Sequence, residues 1–127
     1  MYMATYHFEN IIAWQKAHAF RLLVYHITKE FPDDERFGLT SQFRRAAISI
    51  GANIAEGYKK LSKADKLRFM NISEGSIEEC RDYIILARDL EYINNEQFMS
   101  LHDSLEETSK LLIAYCRGII NNNGIKD

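Results

Sequence analysis

Few residue types in this chain are equipped for chemistry, and their spacing excludes most of what they could do. There are four histidines and two cysteines. A di-iron centre in a helical bundle needs Glu-x-x-His pairs on its helices. The residues three before His18, His26 and His102 are Gln15, Leu23 and Met99. The histidines show no zinc spacing, and Cys80 and Cys116 are too far apart for a Cys-x-x-Cys knuckle. Neither thiol has a histidine close in sequence to serve as its base, so both read as small core residues. GANIAEGYKK (Gly51 to Lys60) lacks the Gly-Lys-Ser/Thr ending of a phosphate loop and falls in a helical pattern. EGSIE (Glu74 to Glu78) lacks the strand-turn-helix context of a nucleophile elbow, and Gly75 and Ser76 read instead as residues that let helices pack closely. The expectation is a protein with no catalytic residues, no metal and no cofactor.

Two charge patterns survive. KKLSKADKLR, from Lys59 to Arg68, carries five basic residues and one acid. Lys59, Lys60, Lys63, Lys66 and Arg68 are the candidate nucleic-acid-binding residues, because several such turns on one rim of an oligomer would add many weak phosphate contacts. The competing reading is a solvated turn that keeps the protein soluble. The other pattern is Arg44–Arg45, followed by eleven residues whose one charge is Glu56. Buried arginines are normally paired, and Glu74, Glu78 and Glu79 are the available acids, so a structural ion-pair network is expected. Tyr2, Tyr6 and Phe8 have rings that could stack on bases, or pack as a tail on a neighbouring element.

Helices must position these groups. Ala13, Ala17, Phe20, Val24, Ile27 and Phe31 mark one buried stripe, ended by Pro32. Phe43, Ala47, Ile50 and Ile54 mark a second, with Thr40 as N-cap and Gly57 as C-terminal stop. Ser62 and Asp65 open a third helix with Leu67, Met70, Ile77, Ile84 and Ala87 on one face. Asn94 and Gln97 repeat that capping logic before a heptad seam of Phe98, Leu101, Leu105, Thr108, Leu112, Tyr115 and Ile119, and NNNG (Asn121 to Gly124) ends it. The helices are expected at about 10–31, 40–58, 62–91 and 95–120, the third the longest at about 45 Å. With short connections they make an all-α, antiparallel up-down-up-down four-helix bundle of one domain spanning residues 1–127. That topology gathers the basic turn with Arg117 and Lys126 at one end, and Glu30, Asp33, Asp34, Glu35, Asp89, Glu91 and Glu96 at the other.

The second helix is unusual. Ala46, Ala47, Ser49, Gly51, Ala52 and Ala55 surround it with small side chains, leaving no wide polar face. Either a neighbouring copy covers part of it, or it is the tightly packed central helix of a monomer. On the first reading Arg44, Arg45, Ala52, Ala55, Glu56, Gly75 and Glu79 are structural or interface residues.

The chain has 127 residues, 46% of them hydrophobic and 27% charged, with a net charge of −2. This is an ordinary balance for one soluble domain, and it argues against a generic charge-driven nucleic-acid binder. Two cysteines inside helices suit reduced thiols in the cytoplasm. The start carries no signal-peptide pattern, and no apolar run is long enough to span a membrane.

WQKA (Trp14 to Ala17), FGLTSQFRRAAISIGANIAEG (Phe37 to Gly57) and GSIEE (Gly75 to Glu79) resemble the four-helix proteins encoded by intervening sequences of bacterial 23S rRNA genes. The resemblance spans about residues 8 to 120. It implies an up-down four-helix bundle, assembly as a homopentamer and no established enzymatic activity. Accessory proteins of diversity-generating retroelements are related to this family and bind a reverse transcriptase and nucleic acid. The functions under comparison are therefore a homo-oligomeric interaction module accessory to an RNA or ribonucleoprotein, and a direct RNA or DNA binder acting through the basic rim.

Overall fold

The computed structural model describes residues 4–122. Tyr2, Lys126 and positions 123–124 of the NNNG stop, all used above, lie outside the described residues. The described chain runs through a 3-10 turn (His7–Asn10), α1 (Ile12–Thr28), a second 3-10 turn (Asp33–Glu35), α2 (Leu39–Tyr58), α3 (Lys63–Asp89) and α4 (Asn95–Asn121).

Local chemistry sets each boundary. The first 3-10 turn forms because the Glu9 carboxylate accepts from the backbone N–H groups of Thr5 and Tyr6, at 2.5 and 2.6 Å. Ile11 is extended, which delays α1 to residue 12 rather than 10. At the other end the Thr28 hydroxyl donates to the Val24 carbonyl at 2.7 Å. Phe31 is buried beyond the helix, on the way into the Pro32 turn.

α2 begins one residue earlier than expected, and Thr40 does not cap it. Gly38 occupies the cap position, and the Leu39 N–H donates to Oε1 of Glu35 at 3.0 Å. A carboxylate on the preceding turn thus takes an N-terminal donor, which also suits the positive end of the helix. Thr40 is buried in the first turn instead.

Nor does Gly57 stop α2, which runs on to Tyr58. Gly57 faces α3, where a Cβ would lie 2.9 Å from Cβ of Phe69 and run into the methyl of Met70. It is glycine for want of space.

Ser62 caps α3 by accepting from the Asp65 N–H at 3.1 Å. The helix ends at Asp89 rather than 91, because Glu91 turns to φ 61° and Tyr92 N–H reaches back to the Ala87 carbonyl at 2.9 Å. A non-glycine residue thus holds the left-handed position of a helix-ending turn. Asn94 and Gln97 form a reciprocal capping box on α4. That start, and the unbroken seam behind it, give α4 27 residues, as many as α3. Each spans about 40 Å at 1.5 Å per residue, so α3 is not uniquely the longest.

α1 packs on α2 and α4, and α3 packs on the same two. Contacts between α2 and α3 run antiparallel: Phe43 meets Tyr83, while Ile50 and Ser49 meet Ser73 and Ser76. One core joins all four helices, with Phe20, Phe43, Ile50, Met70, Ile77 and Leu105 among the fully buried side chains. The expected stripes of α1 and α2 are buried throughout. In the α4 seam Leu101, Leu105, Thr108, Leu112 and Ile119 are buried, while Phe98 and Tyr115 at the flanks are half-buried. The Tyr92 hydroxyl donates to Glu35 at 2.8 Å, joining the two acidic connections at one end.

Candidate functional site

The small-residue run of α2 serves α3 first. The Ser73 hydroxyl donates to the Ile50 carbonyl and the Ser76 hydroxyl to the Ser49 hydroxyl, both at 2.8 Å. Side-chain hydroxyls reach across to backbone only where helices approach closely, and Ala46, Ala47 and Gly57 make that approach sterically allowed. On the other side of α2, Gly51 leaves room for Arg21, whose Nη1 is 3.0 Å from where a Cβ would stand. Ile48 and Ala52 point outward and stay exposed, and Ala55 is half-buried. Gly75 does not serve close packing within the chain. It is exposed, and a Cβ there would meet nothing within 4 Å, whereas its neighbour Ser76 is buried against α2.

The expected network joining the arginine pair to the acids of α3 is absent among the described residues. Arg44 turns to α1 instead: Nε donates to Oγ1 of Thr28 at 2.8 Å, and the guanidinium carbon lies 4.6 Å from the centre of the Tyr25 ring. Its cation thus sits over the carbonyl-rich end of α1, where positive charge is favoured. Arg45 and Glu56 are exposed on the outer side of α2, and Glu79 is exposed on α3. The periodicity explains this, since Arg45 and Glu56 are opposite the core stripe and Arg44 alone flanks it. The ion-pair network forms between α3 and α4. Arg81 donates from Nε and Nη2 to both oxygens of Glu106, each at 2.8 Å, while Nη1 pairs with Glu78. Those bonds hold the Glu106 carboxyl below its ordinary range and the Arg81 guanidinium above its own. Sequence reading missed Arg81 because its partner lies 25 residues away on another helix.

The basic turn is drawn partly into the fold. Lys66 donates to the Tyr58 carbonyl at 2.6 Å, and Lys63 to that of Ile120 at 3.1 Å. Each ammonium thereby caps the C-terminal end of a helix, α2 and α4 respectively. Burial lowers the Lys66 pKa. Lys60 lies 5.0 Å and Arg68 4.6 Å from the centre of the Phe69 ring, and Arg68 is also 3.8 Å from Asp65. Lys59 is exposed.

The thiols and histidines have structural surroundings. Cys80 is fully buried, and burial pushes its thiol far up; Cys116, half-buried, is pushed up to about 11. His18 stacks on Trp14 with ring centres 5.0 Å apart, and its Nδ1 accepts from Nε of Arg21 at 3.0 Å. Burial, then the Arg21 cation, lowers its pKa, so the ring stays neutral and held. The rings of Tyr6 and Phe8 stack on each other 5.8 Å apart, and Phe8 meets Trp14 edge-on. Among the described residues no group of three or more His, Cys, Asp or Glu side chains could hold a metal ion, and no helix is long and apolar enough to cross a membrane.

One assembly of side chains was not read from the sequence as a unit. Tyr25, Arg36, Phe37, Arg44, Arg45 and Ile48 line a groove of about 490 Å³ between α1 and the start of α2. Phe37 is 88% exposed, with the Arg36 guanidinium 5.6 Å from its ring centre. The groove lies at the acidic end of the bundle, so the axial charge separation expected from the sequence is interrupted here. The sequence signal was Arg36–Phe37 eight residues ahead of Arg44–Arg45, a spacing that matters only once the Pro32 turn folds back on α1.

No curated protein matches the chain. Among solved structures, a protein of unknown function from the S23 ribosomal protein family of Bacteroides thetaiotaomicron is 29% identical, with a TM-score of 0.77 over 84% of this chain and 96% of its own. The family of 23S rRNA-intervening sequence proteins matches residues 9–114, which cover α1 to α3, most of α4 and both close α2 contacts. With that span matched, the chain belongs to the 23S rRNA-intervening sequence protein family.

Proposed function

We propose that the chain is a non-enzymatic, homo-oligomeric interaction module that acts as an accessory factor of an RNA or ribonucleoprotein in the cytoplasm. The observation that carries the assembly part is the outer side of α2. Ile48 stays 40% exposed and Ala52 is exposed between Arg45 and Glu56, where a solvent-facing helix ordinarily carries long polar side chains. A small side chain there lets another backbone approach, as Gly57 does on the inner side. Glu79 and the open surroundings of Gly75 on α3 offer a second surface that the single chain leaves free of packing. The non-enzymatic part is supported by thiols held protonated and a histidine locked by Arg21. The RNA part rests on the family's description, and five copies is the number the resemblance implies.

The competing reading, a low-specificity RNA or DNA binder acting through Lys59, Lys60, Lys63, Lys66 and Arg68, is weakened by the carbonyls that Lys63 and Lys66 already serve. Light scattering tests the assembly. A mass several times 14.8 kDa is expected, reduced by Ala52→Trp, because a bulky side chain cannot fit a close helix contact. A concentration-independent monomer overturns the proposal.

A further inference from the structure

We propose that the groove between α1 and the start of α2 binds a nucleotide unit, a phosphate with its base, taken free or as part of a single strand. The groove borders the outer side of α2 through Arg45 and Ile48, so the proposal rests on an assembly that leaves it open. Three guanidiniums, of Arg36, Arg44 and Arg45, line the groove together, and no carboxylate does. Among the described residues none of the three forms an ion pair, whereas Arg68, Arg81 and Arg88 all do. The chain has 18 acids against 16 lysines and arginines, so three neighbouring cations without a carboxylate make a local field that the composition does not force. An anion is the ligand such a field favours, and the planar fork of arginine suits phosphate oxygens.

The rings choose among anions. Phe37 stands 88% exposed beside Arg36, and Tyr25, 37% exposed, lies under Arg44. An aromatic face open to water next to a guanidinium offers stacking and charge at once, which is how single-stranded nucleic acid is held without sequence preference. An acidic peptide or the acidic surface of a second copy would satisfy the arginines but would need an aromatic side chain placed beside its acids to use Phe37, whereas every nucleotide carries a ring with its phosphate. Arg44 is already oriented by Thr28 at 2.8 Å, so it loses little freedom on binding. Asp33 lines the adjoining hollow shared with Arg36 and Arg44 rather than the groove. The phosphate therefore belongs on the Arg45 side.

The test is fluorescence anisotropy of the full chain with a labelled uridine ten-mer at low and physiological salt, with light scattering on the same samples. Binding should weaken with salt at a log–log slope of about −0.7 for each phosphate neutralised, hence near −0.7 for one nucleotide unit. The variant Arg36→Glu should lose binding about tenfold with mass and helicity unchanged, Arg44 being spared because it packs on α1 and Arg45 because it borders the outer side of α2. Phe37→Ala should weaken binding roughly five- to a hundred-fold, the loss of one stacked base. Lys59→Glu/Lys60→Glu should change it little. Competition by uridine monophosphate would show that a free nucleotide suffices, and its failure to compete that the site needs a strand.

Several outcomes overturn the proposal: no binding at low salt, an unchanged affinity in Phe37→Ala, or inorganic phosphate competing as well as uridine monophosphate. Loss of binding only in the lysine variant would move the site to the α2–α3 turn. A changed mass in the arginine variant would make the groove a contact between copies. Because mass and anisotropy are read separately, failure of assembly and failure of this site are distinguishable.

Discussion

Replacing Gly57 with alanine adds one methyl group where the end of α2 meets the start of α3. Two effects oppose each other. Alanine is the better helix former, by about 0.8–1 kcal/mol in a helix interior, and less this close to the end of α2. Against that, the methyl would stand 2.9 Å from Cβ of Phe69 and collide with the methyl of Met70. The Met70 methyl ends a flexible side chain and can swing away. The Phe69 Cβ is one bond from the backbone, so α3 itself must move, and such overpacking costs about 1–3 kcal/mol. Moving α3 also stretches the Ser73 and Ser76 hydrogen bonds to α2. The net expectation is a loss of about 1–2 kcal/mol, or a fall in Tm of roughly 3–8 °C for a chain of this size. Gly118→Ala is the control, since nothing lies within 4 Å of a Cβ there; it should gain up to about 1 kcal/mol. Thermal and urea melts followed by circular dichroism read both. If Gly57→Ala matches or exceeds the stability gain of Gly118→Ala, the contact is loose and the steric explanation of Gly57 is wrong. Gly75→Ala extends the test: it should behave like Gly118→Ala unless a second copy covers α3, in which case both stability and mass fall.

Two further predictions concern ionisable groups. Arg81→Met should destabilise the chain by only about 1 kcal/mol, because the Arg81 and Glu106 side chains are 34% and 40% exposed and solvent screens the pair. Arg81 depresses the folded-state pKa of Glu106, so the pair's contribution is present above the ordinary carboxylate range and disappears as pH falls through the depressed value. Urea melts taken from neutral to acid pH should show a shallower acid-side loss in Arg81→Met, and identical slopes would remove Arg81 as the cause. For the thiols, Cys80 should not react with a disulfide reagent at neutral pH in the native protein, and Cys116, at about 11, should react slowly. Both should react promptly in urea; rapid native labelling of Cys80 would contradict its burial.

The sequence by itself determined the helices and their inner faces. Ala17, Phe20 and Val24, or Leu101, Leu105 and Leu112, recur at helical spacing, and a helix with one apolar stripe has one way to hide it from water. Ser62 and Asn94 were legible for the same reason, since a cap acts within four residues and needs no knowledge of the rest of the chain. The tertiary structure decided whatever depended on a partner distant in sequence. Glu35 rather than Thr40 serves the start of α2, taking the Leu39 N–H, because the Pro32 turn brings its carboxylate there. Gly57 is small because Phe69 and Met70 stand opposite it, while Gly75, equally small, faces nothing within the chain. Arg44 and Arg45 look alike in sequence, but the 100° between successive helical residues sends one to Thr28 on α1 and the other to solvent. Likewise the lysines of the α2–α3 turn look like a free patch until the ends of α2 and α4 arrive beside them with unsatisfied carbonyls. Local hydrogen bonds and periodic burial are short-range and are written in order along the chain. Ion pairing, steric fit and the grouping of Arg36 and Phe37 with Arg44 and Arg45 depend on which helix faces which, and that is fixed only when the four stripes close on one another.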